Sequence, residues 1–310
     1  MIYTVTLNPI LDRIVEVEEL VYDDVNMVVD EKKYPGGKGV DVSRVIKELG
    51  GQSIAMGFAG GYNGLELVGR LVNEGILCDF TKIHNETRAY ITILQRKKRL
   101  QTLLSTLCPA ISQIEVDEFF RKIQEIPANS YVVISGNLPQ GMSDSFYAQL
   151  ITTLKEKDIK VILDTDEEAL KRGTDAGPFL IKPNIHEFGR LVEASVSEME
   201  DIIKYAKPYE DKIEYIVVSM GAKGVVGISR EGNYRVIPPK ISVRSSTGAG
   251  DSLVAGIIFA LSENIPFEDA LVLGVACGTA SALNPGSDLC KKNDISVIKK
   301  DVRIEKIKKN

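Results

Sequence analysis

Four short runs in the second half of the chain constrain its fold more than any other feature: YVVISG (131–136), KVILDT (160–165), FLIKPN (179–184) and YIVVSMG (215–221). Each is a near-continuous apolar, β-branched stretch that ends in polar or turn residues. Strands of this kind suit a sheet covered on both faces. The segments between them, such as 142–157 and 197–207, read as helices. Strand–helix alternation implies right-handed parallel crossovers and an α/β core. Ligands of such sheets bind beyond the carboxyl ends of the strands, so polar residues just after each run are the first candidates.

The first hundred residues follow another period. IVEVEEL (14–20), NMVVDEKKY (26–34), TRAYITILQ (87–95) and RLQTLLSTL (99–107) alternate apolar and polar residues, as one-sided strands do. The last two are joined by the basic turn Arg96-Lys97-Lys98. These segments are expected to assemble a small sheet standing off the main domain. Its apolar face needs a partner surface, which a lid over the active site, paired with a second subunit, would supply. The segments are not contiguous, which argues against an independent domain. The basic tail after Lys291 reads as a solvated final helix.

Two glycine loops open helices. Ser245-Ser246-Thr247-Gly248-Ala249-Gly250-Asp251-Ser252 precedes apolar residues at helical spacing, Leu253, Ile257 and Leu261. Glycine lets the backbone approach a ligand, and free N–H groups at a helix start attract anions. Asp251 is then either a base beside a phosphate cradle or a plain helix cap. The loop is not of the GxxxxGK[ST] type. Tyr34-Pro35-Gly36-Gly37-Lys38-Gly39 opens the second helix, whose buried stripe is Val42, Val45, Ile46 and Leu49. Lys38 sits where a cation would meet an anionic ligand, or is a solvated lysine on a tight turn. In Lys182-Pro183-Asn184-Ile185-His186-Glu187, Asn184 and Glu187 suit a hydrated magnesium ion, since magnesium prefers oxygen ligands and keeps its waters. The same residues also read as an ordinary helix start. Ser219-Met220-Gly221-Ala222-Lys223-Gly224 is a strand-to-turn loop that is unspecific by itself.

Composition excludes several classes. Hydrophobic residues are 44% and charged residues 26% of the 310, which excludes bulk disorder. No apolar run approaches the ~20 residues of a membrane helix. MIYTVTLNPILDR lacks the plan of a signal peptide, so a cytoplasmic location is expected. Cys78, Cys108, Cys277 and Cys290 are scattered, which argues against a disulfide framework or a zinc site. A formal charge of −5 gives no nucleic-acid footprint.

Together these motifs resemble the ribokinase-like (PfkB) carbohydrate kinases, from the first strand to about residue 295. The GGKG loop, the KPNxxE and SxGxxG segments and the GAGD loop occur in that order. The phosphosugar branch, with 1-phosphofructokinase, tagatose-6-phosphate kinase and the minor 6-phosphofructokinase, is the nearest in style. Thr6-Leu7-Asn8-Pro9 with Asp12, the Thr87-Arg88 pair and Ile134-Ser135-Gly136-Asn137-Leu138-Pro139 carry that likeness. The resemblance implies a single ribokinase-like domain over 1–310, a three-layer α/β/α sandwich. A β-sheet lid would be formed by segments of about 12–36 and 87–108 and would make a homodimer contact. It implies that ATP and Mg2+ are used, with a monovalent cation such as K+ as a further candidate, and that neither nucleic acid nor membrane is a partner.

The resemblance also implies roles. Asp251 would be the general base. The amides of Gly248, Ala249 and Gly250 would form an anion hole, in keeping with phosphoryl transfer as positioning plus electrostatic stabilisation. Lys182, Asn184, Ser219, Gly221 and Gly224 would face the nucleotide phosphates. Asn284, in Leu283-Asn284-Pro285-Gly286, would lie by the adenine. Asn184 and Glu187 would orient magnesium, mostly through water. Asp12, Gly36, Gly37, Lys38 and Arg88 would face the acceptor, with Lys38 and Arg88 on its phosphate.

The acceptor side departs from the phosphofructokinase pattern. Asp41, Tyr90 and Asn137 stand where two asparagines and a serine are expected. Thr102-Leu103-Leu104 and Cys108-Pro109 replace lid residues. An asparagine donates and accepts, whereas an ionised aspartate only accepts. The departures suggest an acceptor such as a cyclic polyol phosphate, for example an inositol phosphate, beside fructose 1-phosphate, fructose 6-phosphate or tagatose 6-phosphate. An unphosphorylated sugar, inositol or nucleoside is the alternative acceptor, and a silent sugar- or nucleotide-binding regulator the alternative to an enzyme.

Overall fold

The structure, a computed structural model, describes residues 1–285 and 288–307. Gly286, quoted above beside Asn284, lies outside the described residues. The first strand, β1 (Ile2–Thr6), stands inside a ten-stranded sheet, and the chain builds away from it in both directions. It first leaves that sheet for β2 (Ile10–Val17) and β3 (Val28–Gly36), an antiparallel pair in a second sheet of four strands. Helix α1 (Lys38–Glu48) leads back to β4 (Ser53–Gly60), and α2 (Gly61–Asn73) leads to β5 (Leu77–Ile83). A second excursion adds β6 (Ala89–Gln95) and β7 (Leu100–Ser105) to the smaller sheet, whose order is β3-β2-β6-β7.

From there helices and strands alternate: α3 (Gln113–Glu125), β8 (Tyr131–Ser135), α4 (Phe146–Lys155), β9 (Lys160–Asp164), α5 (Glu167–Asp175) and β10 (Leu180–Ile181). Helices α6 (Ile185–Leu191) and α7 (Met199–Ala206) precede β11 (Tyr215–Ser219). An antiparallel pair, β12 (Val225–Ser229) and β13 (Asn233–Ile237), is followed by α8 (Ala249–Ser262), α9 (Phe267–Ala282), α10 (Lys292–Ile298) and β14 (Arg303–Ile307). The large sheet runs β14-β13-β12-β11-β10-β9-β8-β1-β4-β5, parallel from β5 to β11.

Side-chain alternation along the central strands feeds two cores. Val133 and Ile162 point to a core built with α1, α8 and α9. Val132, Ile134, Val161 and Leu163 point to another built with α3 and α4. That two-sided burial is why these strands read as unbroken apolar runs, and it yields three layers, helices–sheet–helices.

The basic tail corrects one expectation. It does contain a helix, α10, but with Ile295 and Ile298 buried, and it ends in β14, paired antiparallel with β13. In Arg303-Ile304-Glu305-Lys306-Ile307 the two isoleucines stand three apart, so the strand carries no alternation to read, and its charges suit a sheet edge. Among the described residues no helix is long and apolar enough to cross a membrane.

Candidate active site

Strand β1 pairs with β4 on one side and β8 on the other, so the strand order switches direction between β1 and β8. Such a switch opens a crevice outside the strand carboxyl ends. Asp164 is the last residue of β9, Lys182 follows β10, and Ser219 ends β11. Asn184 bridges in parallel to Ser219, which places two of the sequence candidates side by side.

A charge cluster occupies this edge. Asp164 is 1% exposed, and its Oδ1 accepts from Lys38 Nζ at 3.2 Å and from Lys182 Nζ at 3.3 Å. Burial alone would raise Asp164, but Lys182 and Lys38 together hold its carboxyl below the usual range. Asp164 in turn raises the Lys38 ammonium, against burial and with help from Asp251 and Glu187, so that Lys38 stays charged. Asp251 is 9% exposed. Burial first, then Asp41 and Asp164, push its carboxyl well above the ordinary aspartate value, against the pull of Lys38 and Lys182.

The loop ahead of Asp251 turns on Gly248, whose φ of 74° lies in the left-handed region that favours glycine. Ala249 N–H donates to the Ser246 carbonyl (3.3 Å), and Ser252 N–H donates to the Gly248 carbonyl (2.9 Å). The Gly250 and Asp251 amides therefore lie in the first turn, ahead of the helical bonds, where N–H groups are available to an anion. A Cβ on Gly250 would stand 3.7 Å from Lys182 Nζ, so a cation and this turn share one space. Gly248 caps α8 without a side-chain bond and Asp251 lies three residues further on, so the aspartate is not the helix cap.

At the start of α6, Asn184 Oδ1 accepts from the amides of His186 (2.9 Å) and Glu187 (3.0 Å), while Glu187 Oε2 accepts from Asn184 N–H (2.7 Å). This reciprocal cap fixes both side chains. Among the described residues no group of three His, Cys, Asp or Glu is arranged to hold a metal ion. Gly221 and Gly224 flank a short turn after β11. Asn284 Nδ2 donates to the Ala280 and Leu289 carbonyls, at 3.3 and 3.1 Å.

At the start of α1, Gly37, at φ 120°, lets the loop pass the end of β1: a Cβ there would lie 2.8 Å from Thr6 Cγ2. Gly36 ends β3 and pairs with Ile10. Asp12 on β2 lies in register between Tyr34 and Tyr90. Arg88 donates from Nη1 to the Tyr90 hydroxyl (3.2 Å) and from Nη2 to the Asn8 carbonyl (3.3 Å). Asp41, in the first turn of α1, accepts from Arg44 Nη1 (3.4 Å), and Arg44 also bonds Glu74 (2.9 Å). Burial lifts the Asp41 carboxyl to about 7 against the pull of Arg44, with Asp12 and Glu74 adding to the rise. Asn137 is exposed in the loop after β8.

The residue that sequence reasoning missed is Asp164. Its signal was present, since it is the first polar residue after the apolar part of KVILDT, the position that the strand-end rule selects.

Residues 5–294 match the pfkB family of carbohydrate kinases. The chain belongs to this family. As a PfkB kinase it is a phosphotransferase that acts on an alcohol group. It is 35% identical over 309 residues to 1-phosphofructokinase of Borreliella burgdorferi, covering 99% of each chain. It is 32% identical over 301 residues to ATP-dependent 6-phosphofructokinase isozyme 2 of Escherichia coli, covering 96% of this chain and 97% of that one. The fold follows the solved phosphofructokinase-2 of Escherichia coli in complex with potassium, with a TM-score of 0.90, 31% identity and 97% and 98% of the two chains covered. That enzyme has also been solved with fructose-6-phosphate and in a tetrameric inhibited form.

Proposed function

We propose that this PfkB kinase transfers the γ-phosphoryl group of ATP to a hydroxyl of a phosphorylated sugar, with a fructose phosphate as acceptor. The observation that carries this reading is the buried Asp251 beside the first-turn amides of α8, with Lys38 and Lys182 close by. A carboxylate raised by burial is a competent base, and the amides and lysines match the charge of a transferred phosphoryl group. Asp251 takes the proton as the acceptor oxygen attacks the γ-phosphorus and ADP leaves. Lys182, Ser219, Gly221, Gly224 and Asn284 line the nucleotide side. Asp12, Gly36, Gly37, Lys38, Asp41, Arg88, Tyr90 and Asn137 line the acceptor side.

Magnesium is part of the proposal. Asn184 Oδ1 is engaged in capping, whereas Glu187 keeps a second oxygen beyond its capping bond, which suits a hydrated ion held through water. Asn184 and Glu187 would hold the ion through water, and it would supply neutralisation of phosphoryl charge. A potassium requirement and a cytoplasmic location belong to the same proposal.

The smaller sheet acts as a lid over the acceptor and as the contact between two copies of the chain. Val28, Val29, Leu100, Leu103 and Leu104 are exposed apolar side chains on its two edge strands, which supports contact with a further apolar surface in solution.

Asp41 and Tyr90 favour a second reading, in which the acceptor is a cyclic polyol phosphate. An ATP-coupled assay across fructose 1-phosphate, fructose 6-phosphate, tagatose 6-phosphate and inositol phosphates tests both. Turnover of a fructose phosphate supports the first reading, and turnover of an inositol phosphate alone replaces it with the second. No turnover of any phosphorylated acceptor refutes both.

A further inference from the structure

We propose that Asp164 is a positioning residue, which gathers Lys38 and Lys182 onto one carboxylate oxygen and so locks the acceptor and nucleotide sides together. The inference rests on the reading that ATP and acceptor meet at Asp251.

The two lysines come from different parts of the fold. Lys38 opens α1, just after the Gly36-Gly37 turn. Lys182 follows β10 in the parallel sheet. Two ammonium groups repel each other, so a shared position needs an anion between them. Both use Oδ1 alone, while Oδ2 is buried without a partner among the described residues. Two cations on one oxygen stand closer together than two spread over both.

The carboxylate itself is rigidly mounted. The Asp164 carbonyl accepts from Gly136 N–H at 3.0 Å. The Gly136 carbonyl in turn accepts from the Tyr147 hydroxyl (2.9 Å) and from Thr165 Oγ1 (3.0 Å). Asp164 thus belongs to the framework at the strand ends, whereas Lys38 and Lys182 reach it at the ends of long side chains. After Asp164, the carboxylates that act on Lys38 are Asp251 and Glu187. Without Asp164 the carboxylate that acts on both lysines is the base Asp251, so pairing there takes away turnover, while Arg88 and the remaining nucleotide-side residues still hold the substrates.

The test is steady-state kinetics with ATP and a sugar phosphate. Asp164→Asn is expected to lower kcat by about 100-fold, the scale of a misplacement of ~1 Å, with a much smaller rise in the KM values for ATP and acceptor, to which Lys182 and Lys38 contribute. A buried carboxylate that loses its charge beside two lysines can also unfold a protein. Asp164→Glu therefore serves as the second variant, since it keeps the charge and shifts its position by one methylene. It is expected to fold and to lose about tenfold or more in kcat, with a smaller change in either KM. Full activity in Asp164→Glu, or a loss in either variant that appears in KM rather than kcat, overturns the inference alone. Wild-type protein that transfers phosphate to no sugar phosphate overturns the underlying reading and this inference with it.

Discussion

Arg88 lies over the ring of Tyr90, with Cζ 5.1 Å from its centroid, and donates to its hydroxyl at 3.2 Å. Its Nε is buried without a partner among the described residues, and its two bonds use only part of the guanidinium's five N–H groups, so charged donors remain for an incoming anion. A charge-assisted bond to an acceptor phosphate contributes roughly 1.5–3 kcal/mol. Arg88→Ala is therefore expected to raise the acceptor KM by roughly 10- to 100-fold and to leave the ATP KM unchanged. Initial-rate kinetics with each substrate varied in turn provide the check. An unchanged acceptor KM refutes the phosphate contact.

As the proposed base, Asp251 with its raised carboxyl is expected to set the acid limb of the pH–rate profile. A base works only when deprotonated, and Asp251 takes up its proton at a higher pH than an ordinary aspartate. On acidification, kcat/KM is expected to fall well above the ~3.9 of a free aspartate. A profile flat down to about pH 5, measured with enzyme shown to stay folded, contradicts this.

Asp41 links pH to stability. Its folded-state pKa is raised to about 7, so the folded state binds this proton more tightly than the unfolded chain does. The stabilisation from that proton is complete below the unfolded value and is lost as pH rises through about 7. Asp41→Asn is expected to raise Tm relative to wild type at about pH 8 and to gain less at about pH 5.5. Calorimetry at both values tests the sign. A variant that loses stability most at the higher pH would mean that the pairing of Asp41 with Arg44 outweighs its burial.

The proposed lid contact predicts a dimer at micromolar concentration. Leu103→Glu with Leu104→Glu, both on the exposed β7, is expected to yield monomers of unchanged secondary structure. Sedimentation velocity decides this, and a wild-type monomer refutes the interface.

Legibility from sequence followed burial. Strands β8, β9 and β11 are covered on both faces and read as unbroken apolar runs, while β2 and β6 are partly half-buried, β3 and β7 carry exposed residues, and all four read as alternating. Strand β14 was missed because its five residues are mostly charged and gain order by pairing with β13, a tertiary contact that lies far away in sequence. The GAGD loop was legible because its glycines and its aspartate are local to one helix start. Asp164 was not, since its role depends on lysines 126 residues before it and 18 after it, which meet only when the sheet forms. The pairing of Arg88 with Tyr90 was hidden too: the sequence gives two neighbours on a strand edge, not a ring lying under a guanidinium.

The central claim is that Asp251 is the base in phosphoryl transfer to a sugar phosphate, and the direct measurement is kcat of Asp251→Asn at saturating ATP and acceptor. The substitution keeps size and removes the charge. Nucleotide affinity by calorimetry and Tm are expected to stay near wild type, while kcat falls by roughly 10²–10⁴-fold. A variant that keeps more than about a tenth of wild-type kcat contradicts the account, because a general base contributes more than that.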